Sequence, residues 1–182
     1  MATLTISGGA KLEATLREMA KKVAKKATLK VGFLEGATYP DGTPVAMVAA
    51  IQEYGAPSAG IPPRPFFRTM IAEKKGAWGD ALGLCLLESD YNPARAMAMM
   101  GQGISGQLQE SIINLDEPAL SPITLMLRKM FPVGKTYEKT GKDVGKAAAL
   151  VAAGKTAGDV STKPLVWTGN LLDSVNYEVS EE

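Results

Sequence analysis

The sequence predicts an α+β fold, organised as one domain over residues 1–182 with a protruding insertion at 132–162. Apolar and polar side chains alternate at residues 28–34 and again at 175–179, which is the period of a half-buried strand. Between these segments, apolar residues recur every three or four positions over long stretches, which is the period of amphipathic helices. Because 46% of the residues are apolar, the chain can bury a core of its own.

The N-terminal part predicts a strand, a helix and a second strand. Residues 3–7 alternate and predict a short strand, which Gly8-Gly9 ends. The helix that follows has a lysine-rich outer face. Its apolar face consists of Leu12, Leu16, Met19, Val23 and Ala27. In the second strand, residues 28–34, the side chains on one side are Leu29, Val31 and Phe33.

A turn and a short helix come next. Tyr39-Pro40-Asp41-Gly42 is typical of a turn, because proline presets φ and glycine tolerates a positive φ. Thr43 is expected to cap the following helix, with Pro44 in its first turn. That helix extends to Tyr54, and Gly55 ends it.

Residues 56–65 form a Pro-rich arm with little freedom to be helix or strand, and its centre, Ile61-Pro62-Pro63-Arg64-Pro65, predicts extended polyproline-like chain. Three helical patterns follow, at Phe66–Leu87, from Asn92-Pro93 to Ile112, and at 122–130 after Ser121. Gly76 and Gly79 weaken the middle of the first.

Residues 132–162 are rich in Lys, Gly, Ala and Thr and hold hardly any large apolar side chain. They predict a mobile insertion in which Ala147–Ala153 forms a turn or two of helix. Thr168 is then expected to cap a short helix over residues 169–174, before the last strand at Val175–Val179.

The residue inventory argues against an enzyme. Histidine is absent, which removes the commonest general base and metal ligand, and the single cysteine, Cys85, lies in an apolar run typical of a small core residue. Gly101, Gly103 and Gly106 match a dinucleotide motif, but they lie in a helical pattern, where glycines favour close packing or a kink. The two Gly-Lys-Thr triplets lack the earlier glycine of a phosphate loop. We therefore expect no catalytic residue, no cofactor and no metal site.

The net charge is +1, but the ends of the chain differ. Residues 1–30 carry seven basic residues against two acidic ones, whereas residues 164–182 carry four acidic residues and no basic one. Two interpretations stay open: solvated surfaces, which we favour for any single charge, or complementary ends that meet between subunits. No apolar stretch approaches the length of a membrane span, and we expect no signal peptide.

Two segments suggest contacts with other chains. The Pro-rich arm is stiff and flanked by aromatic and arginine residues, the types enriched at interface centres. The alternative is a rigid connector that buries Phe66 or Phe67 in the subunit's own core. The second segment, residues 163–175, is locally only a capped turn of helix leading into a strand. The candidate interface residues are Tyr54, Ile61, Pro62, Pro63, Arg64, Pro65, Phe66, Arg68, Trp167, Thr168 and Gly169.

Together these segments resemble the neck and tail-completion proteins of tailed bacteriophages, which are related to the virion-morphogenesis proteins of Mu-like phages. The matching elements, in the order typical of that family, are Tyr54-Gly55 with Ile61-Pro62-Pro63-Arg64-Pro65-Phe66, then Ser121-Pro122-Ile123-Thr124 with Lys129, then Pro164–Val175 with its Thr168-Gly169 pair. The order and spacing agree from about Leu29 to Val179. Trp167 replaces an acidic residue common in the family, and the insertion at 132–162 is longer than usual.

The resemblance implies a small, mostly antiparallel sheet packed against a long helix. It also implies a structural virion protein, without enzymatic activity, that forms a homo-oligomeric ring, expected to be six-fold, at the head–tail junction. Its partners would be neighbouring neck, head-completion, tail-terminator or tail-tube proteins, with DNA passing through the lumen and no membrane. The alternative hypothesis is a DNA-binding or packaging-associated phage protein that uses Lys21, Lys22, Lys25, Lys26 and Lys30.

Overall fold

The structure, a computed structural model, describes residues 9–133 and 140–181. It confirms an α+β fold, in which a two-stranded antiparallel sheet packs against helices. The elements in chain order are α1 Gly9–Val23, β1 Ala27–Phe33, α2 Val45–Tyr54, α3 Phe66–Glu88, α4 Pro93–Asn114, α5 Pro122–Met130, α6 Gly141–Ala152, α7 Asn170–Asp173 and β2 Val175–Glu181. The strand predicted at residues 3–7 lies outside the described residues.

The sheet pairs a strand near the start of the described chain with the last strand of that chain. β1 and β2 run antiparallel, with Ala27 opposite Glu181 and Phe33 opposite Val175. α4 crosses one face of this sheet at very close range, because Gly101 has no side chain there. A Cβ at Gly101 would lie 2.6 Å from Cγ of Tyr177 and 3.0 Å from Cδ1 of Leu29. Close helix packing was one of the two uses predicted for this glycine; Gly103 and Gly106 face open space.

The core lies between α2, α3, α4 and the segment before β2. Phe66 packs edge-on against Phe33, with ring centroids 6.2 Å apart. Trp78 on α3 donates from Nε1 to Oε1 of Gln107 on α4 over 2.9 Å, which joins the two longest helices. The buried core residues are Val45, Ala49, Phe66, Met70, Leu108, Ile112, Leu165, Leu171 and Val175.

Local capping explains where α4 and α5 begin, and both predicted starts are confirmed. The side chain of Asn92 accepts the N–H of Arg95 over 3.1 Å, directly before Pro93. The hydroxyl of Ser121 accepts the N–H of Thr124 over 3.1 Å, directly before Pro122. Gly55, with φ at 77°, ends α2 as expected.

Two predicted caps are wrong. Thr43 does not cap α2, because Pro44 takes the cap position; the N–H of Thr43 donates to Oδ1 of Asp41 over 3.0 Å within the preceding turn. Thr168 does not cap α7, because Gly169 takes that position with φ at 79°, which glycine adopts at little cost. The first helix also ends earlier than predicted, at Val23, and Ala27 begins β1.

Residues 140–162 are more regular than their composition indicated. Instead of one or two turns, α6 has 12 residues and begins with a capping box, in which Thr140 and Asp143 bond each other's backbone. Ala147 is fully buried, because small side chains let α6 pack closely against α5. The mobility of this insertion stays a prediction, and its residues 134–139 lie outside the described part.

Cys85 is half-buried on α3, so it is less enclosed than the core position predicted for it. On the same helix, Phe67, Ile71, Trp78 and Leu82 are all partly buried. In the described part of the chain, no helix combines the length and the apolarity that a membrane span requires.

Candidate functional site

The Pro-rich arm follows a fixed path beside α2. After Gly55 the chain makes a single 3-10 turn at Pro57–Ala59, and Ala56 and Ile61 then hydrogen-bond each other's backbone over 2.9 and 3.1 Å. A side chain at Gly55 would place Cβ 2.8 Å from the carbonyl oxygen of Ile61, so only glycine fits. The arm rejoins α2 where the N–H of Arg64 donates to the carbonyl of Gln52 over 2.7 Å.

Glu53 links the end of α2 to the start of α3. Its buried carboxylate accepts the backbone N–H of Phe67 over 2.9 Å and that of Arg68 over 3.2 Å, and it pairs with Nε of Arg68 at 3.0 Å. The cap position of α3 is Pro65, whose side chain cannot accept these bonds, so a residue from another helix supplies the cap. Glu53 was not among the candidate residues predicted from the sequence. The only local sign of its role is that it is an acidic residue directly before the Tyr54-Gly55 pair.

Tyr54 and Arg68 form an exposed pair next to Glu53. The guanidinium carbon of Arg68 lies 5.1 Å from the ring centroid of Tyr54, within cation–π range. Nη2 of Arg68 also donates to the carbonyl of Glu53 over 3.1 Å. Tyr54 is 67% exposed. Of the candidate interface residues, these two therefore present an ordered aromatic and cationic surface to solvent.

Arg64 is buried, which corrects the expectation that its guanidinium would face a neighbouring chain. Nη1 donates to Oε1 of Gln52 over 3.1 Å, and Nη2 donates to the carbonyl of Pro118 over 3.3 Å. Its Nε has no hydrogen-bond partner among the described residues. Burial lowers the pKa of Arg64 from its ordinary value. The side chain therefore ties the arm to the connection between α4 and α5.

Phe66 also lies inside the subunit, with 1% of its surface exposed, which corrects its assignment to an interface. Its backbone carbonyl accepts the hydroxyl of Ser111 on α4 over 2.7 Å. The alternative interpretation, a connector that buries a phenylalanine in its own core, holds for this residue. Among the remaining candidates, Pro62, Pro63 and Thr168 are exposed, whereas Ile61, Pro65, Trp167 and Gly169 are half-buried.

Arg128 on α5 holds the segment before β2. Its guanidinium donates to the carbonyls of Ser161, Lys163 and Pro164 over 2.6, 2.9 and 3.1 Å. It also lies over the ring of Trp167, 4.8 Å from the centroid. Arg128 was not among the candidate residues predicted from the sequence, although it directly precedes the Lys129 of the family-like motif. Its position in the last turn of a helix gave no sign of its burial.

The two buried arginines lie at one place, here named the arginine junction: Arg64, Pro118, Arg128 and residues 161–167. Burial lowers the pKa of Arg128, and the nearby charge of Arg64 lowers this pKa further. Neither guanidinium pairs with a carboxylate of the described residues, so both donate their hydrogen bonds to neutral oxygen acceptors. At its edge, Lys163 pairs with Asp116 at 2.6 Å. The arginine junction thus places the three segments that carry the family-like motifs near one another, and Arg128 binds the third directly.

The side chains of this site bind backbone carbonyls and so hold separate segments of the chain together. No group of three or more His, Cys, Asp or Glu side chains in ranges 9–133 and 140–181 is placed to hold a metal ion. A second feature nearby is a cleft of about 650 Å³ between β1, α2 and α3, lined mostly by apolar side chains such as Phe67, Ile71 and Ala50.

No protein-family model matches the chain, and no curated protein or solved structure matches it either.

Proposed function

We propose that this chain is a structural virion protein of a tailed bacteriophage, a ring-forming neck, tail-completion or tail-terminator subunit at the head–tail junction. The arginine junction is the observation that carries this proposal. The three motifs that resemble the phage family lie far apart in sequence, yet Arg64 of the first lies near Arg128, which directly precedes Lys129 of the second and binds Pro164 and Trp167 of the third. Motifs that share one structural site support a resemblance between whole folds more strongly than three independent matches would.

Uncovered contact surface supports the oligomeric part of the proposal. Tyr54, Leu84 and Leu87 are each more than half exposed, and such side chains are typical of surfaces that another chain covers. In the described part of the chain, the sheet has two strands, so each strand keeps one unpaired edge. Unpaired edges favour strand pairing with another chain. In this proposal the partners are further copies and the adjacent head and tail proteins.

The experiment is a deletion of the gene in its phage, with the wild-type gene supplied in trans as the control. The expected result is that heads and tails accumulate unjoined, that complementation restores infectious particles, and that antibody labels the head–tail junction. Infectious particles in normal yield from the deletion, or virions that lack the protein, would refute the proposal.

Tyr54→Ala makes the same test at one residue. Because this side chain is exposed, the substitution should leave the thermal midpoint of the purified chain unchanged while it lowers the infectious yield. The matched control is Val144→Ala on α6, also exposed, which should change neither. An unchanged infectious yield from Tyr54→Ala would remove this residue from the interface.

A DNA-binding or packaging-associated protein is the second candidate. The observation that favours it is that Lys21, Lys25, Lys26 and Lys30, in the N-terminal part of the chain, are all exposed. Lys22, by contrast, is half-buried and paired with Asp90. A gel-shift assay across a salt series tests this candidate, since binding through phosphates weakens steeply as salt rises. Absence of any shift at physiological ionic strength would exclude it.

A further inference from the structure

The first helix carries an apolar stripe that the described part of the chain leaves largely uncovered, with only Met19 half-buried. Leu12, Leu16, Met19 and Val23 are spaced four, three and four residues apart, which is the narrow seam typical of paired helices. Leu12 is 61% and Leu16 is 56% exposed, and α1 has no buried residue. Because an isolated helix of this length is marginally stable in water, the stripe indicates a covering surface elsewhere.

The second uncovered surface lies on the C-terminal half of α3, residues 76–88. One side of this half-helix faces α4, whereas the other side exposes Leu84 at 68% and Leu87 at 59%. Asp80 and Glu88 lie one helical turn before and after Leu84 and therefore share its face. The exposed surface is thus a short apolar strip bordered by carboxylates.

The two surfaces are complementary in length and in charge. α1 is about 22 Å long, and residues 76–88 are about 20 Å long at the rise of an α-helix. Apart from Lys22, which pairs within its own chain, residues 9–26 carry five basic side chains and two acidic ones, whereas residues 76–88 carry two acidic side chains and no basic one. A basic helix with an apolar seam would therefore meet an acidic helix with an apolar strip.

Within one chain the two surfaces do not meet. The C-terminal end of α1 is tied near the end of its own α3, because Lys22 forms an ion pair with Asp90 and Val23 borders the same cleft as Leu86. Although the helices are neighbours at this point, Leu16 and Leu84 stay more than half exposed. α1 thus does not lie along its own α3, and both surfaces are open to another chain.

We propose that α1 of one copy packs along residues 76–88 of α3 in the next copy. Each copy offers one surface of each kind, so the contact is heterologous, and repetition of such a contact generates a ring when the rotation closes. The ring rests on the proposed function, whereas the contact itself is a property of the isolated chain.

Cross-linking between two single-cysteine variants tests the contact. In a Cys85→Ser background, Leu16→Cys and Leu84→Cys are purified separately, mixed at high concentration and oxidised mildly. The expected product is a disulfide-linked pair containing one chain of each variant. The matched control, Ala14→Cys, places the thiol on the opposite side of α1 and should give no pair with Leu84→Cys.

Three outcomes overturn the proposal. They are no mixed pair, a pair formed only between two Leu16→Cys chains, and an internal disulfide in the dilute Leu16→Cys/Leu84→Cys double variant. The last would show that α1 folds back onto its own α3. The result is independent of the phage experiment. If the mixed pair forms but virions lack the protein, the contact stands and the proposed function is rejected. If no mixed pair forms but the phage deletion leaves heads and tails unjoined, the proposed function stands and this contact is rejected.

Leu84→Asp gives a second test that does not depend on disulfide geometry. Leu84 is exposed, so the variant should fold with an unchanged thermal midpoint, while self-association weakens about thirty-fold, as for a central interface residue. Val144→Asp, an equally apolar exposed site on α6, is the control and should leave self-association unchanged. Equal association of Leu84→Asp and the wild type would overturn the proposal.

Discussion

The carboxylate of Glu53 accepts the backbone N–H of Phe67 over 2.9 Å and so joins the last turn of α2 to the first turn of α3. Glu53→Ala should lower the free energy of unfolding by about 2 kcal/mol, because two backbone N–H groups and Arg68 lose a buried charged acceptor. Urea titration measures this change. Glu73→Ala, at an exposed site on α3, is the control and should change stability by less than about 0.5 kcal/mol. Equal stabilities of the two variants would contradict the capping role.

Gly101 and Gly103 should respond oppositely to alanine. At Gly101 the added Cβ would collide with the ring of Tyr177, so α4 must move away from the sheet, and we expect a loss of about 1–3 kcal/mol. At Gly103 no heavy atom would lie within 4 Å of the added Cβ, and alanine should stabilise the helix by up to about 1 kcal/mol. The measurement is a pair of denaturation curves under identical conditions. A Gly101→Ala chain as stable as the Gly103→Ala chain would show that α4 does not touch the sheet there.

The sequence predicted the local elements well and the burial of the site poorly. The starts of α4 and α5 follow from Asn92-Pro93 and Ser121-Pro122, because a cap and a helix-compatible proline act within one turn. Arg64 could not be placed in the same way. Its acceptors are on Gln52 and Pro118, and the latter is 54 residues away along the chain, so its burial depends on tertiary packing.

Competing local signals explain the two caps that were wrongly predicted. Thr43 and Thr168 have the right side chain for a cap, but the residue after each, Pro44 and Gly169, takes the cap position, Gly169 with a positive φ. α6 was underestimated because alanine-rich sequence shows little apolar periodicity. The burial of Ala147 depends on α5, which no local pattern reveals.

Arg128 should hold residues 161–167 in place, whereas its neighbour Lys129 should not. Arg128→Ala removes the donor to three backbone carbonyls and the cation above Trp167, so we expect faster hydrogen exchange across this segment and a stability loss of about 2–3 kcal/mol. Lys129 makes one exposed bond, to the carbonyl of Thr156 over 3.2 Å. Lys129→Ala should leave exchange in residues 161–167 unchanged. Identical exchange patterns for both variants would show that another contact holds the segment.

The start of α6 should weaken in acid. Hydrogen bonds from the backbone N–H of Thr140, and then from its hydroxyl, lower the pKa of Asp143 below the ordinary value of 3.8. Because the pKa is lower in the folded chain, the cap is fully present above about pH 4 and is lost as the pH falls through the lowered value. NMR titration of the amides in the first turn of α6 measures this loss. Asp143→Asn does not titrate and should remove the pH dependence; if the dependence persists, another group causes it.

Arg64→Ala tests the internal role that the burial of this side chain indicates. If its role is internal, Arg64→Ala should destabilise the purified chain, because Gln52 and Pro118 lose a buried donor and the stem of the side chain leaves a hole. Arg64→Met keeps much of that volume and removes a charge that lies near Arg128, so it should cost at least about 1 kcal/mol less than alanine. Thermal and urea unfolding of both variants measure the difference. A normal midpoint for Arg64→Ala together with heads and tails left unjoined would instead place the guanidinium at a contact between subunits, as the residue types alone had suggested.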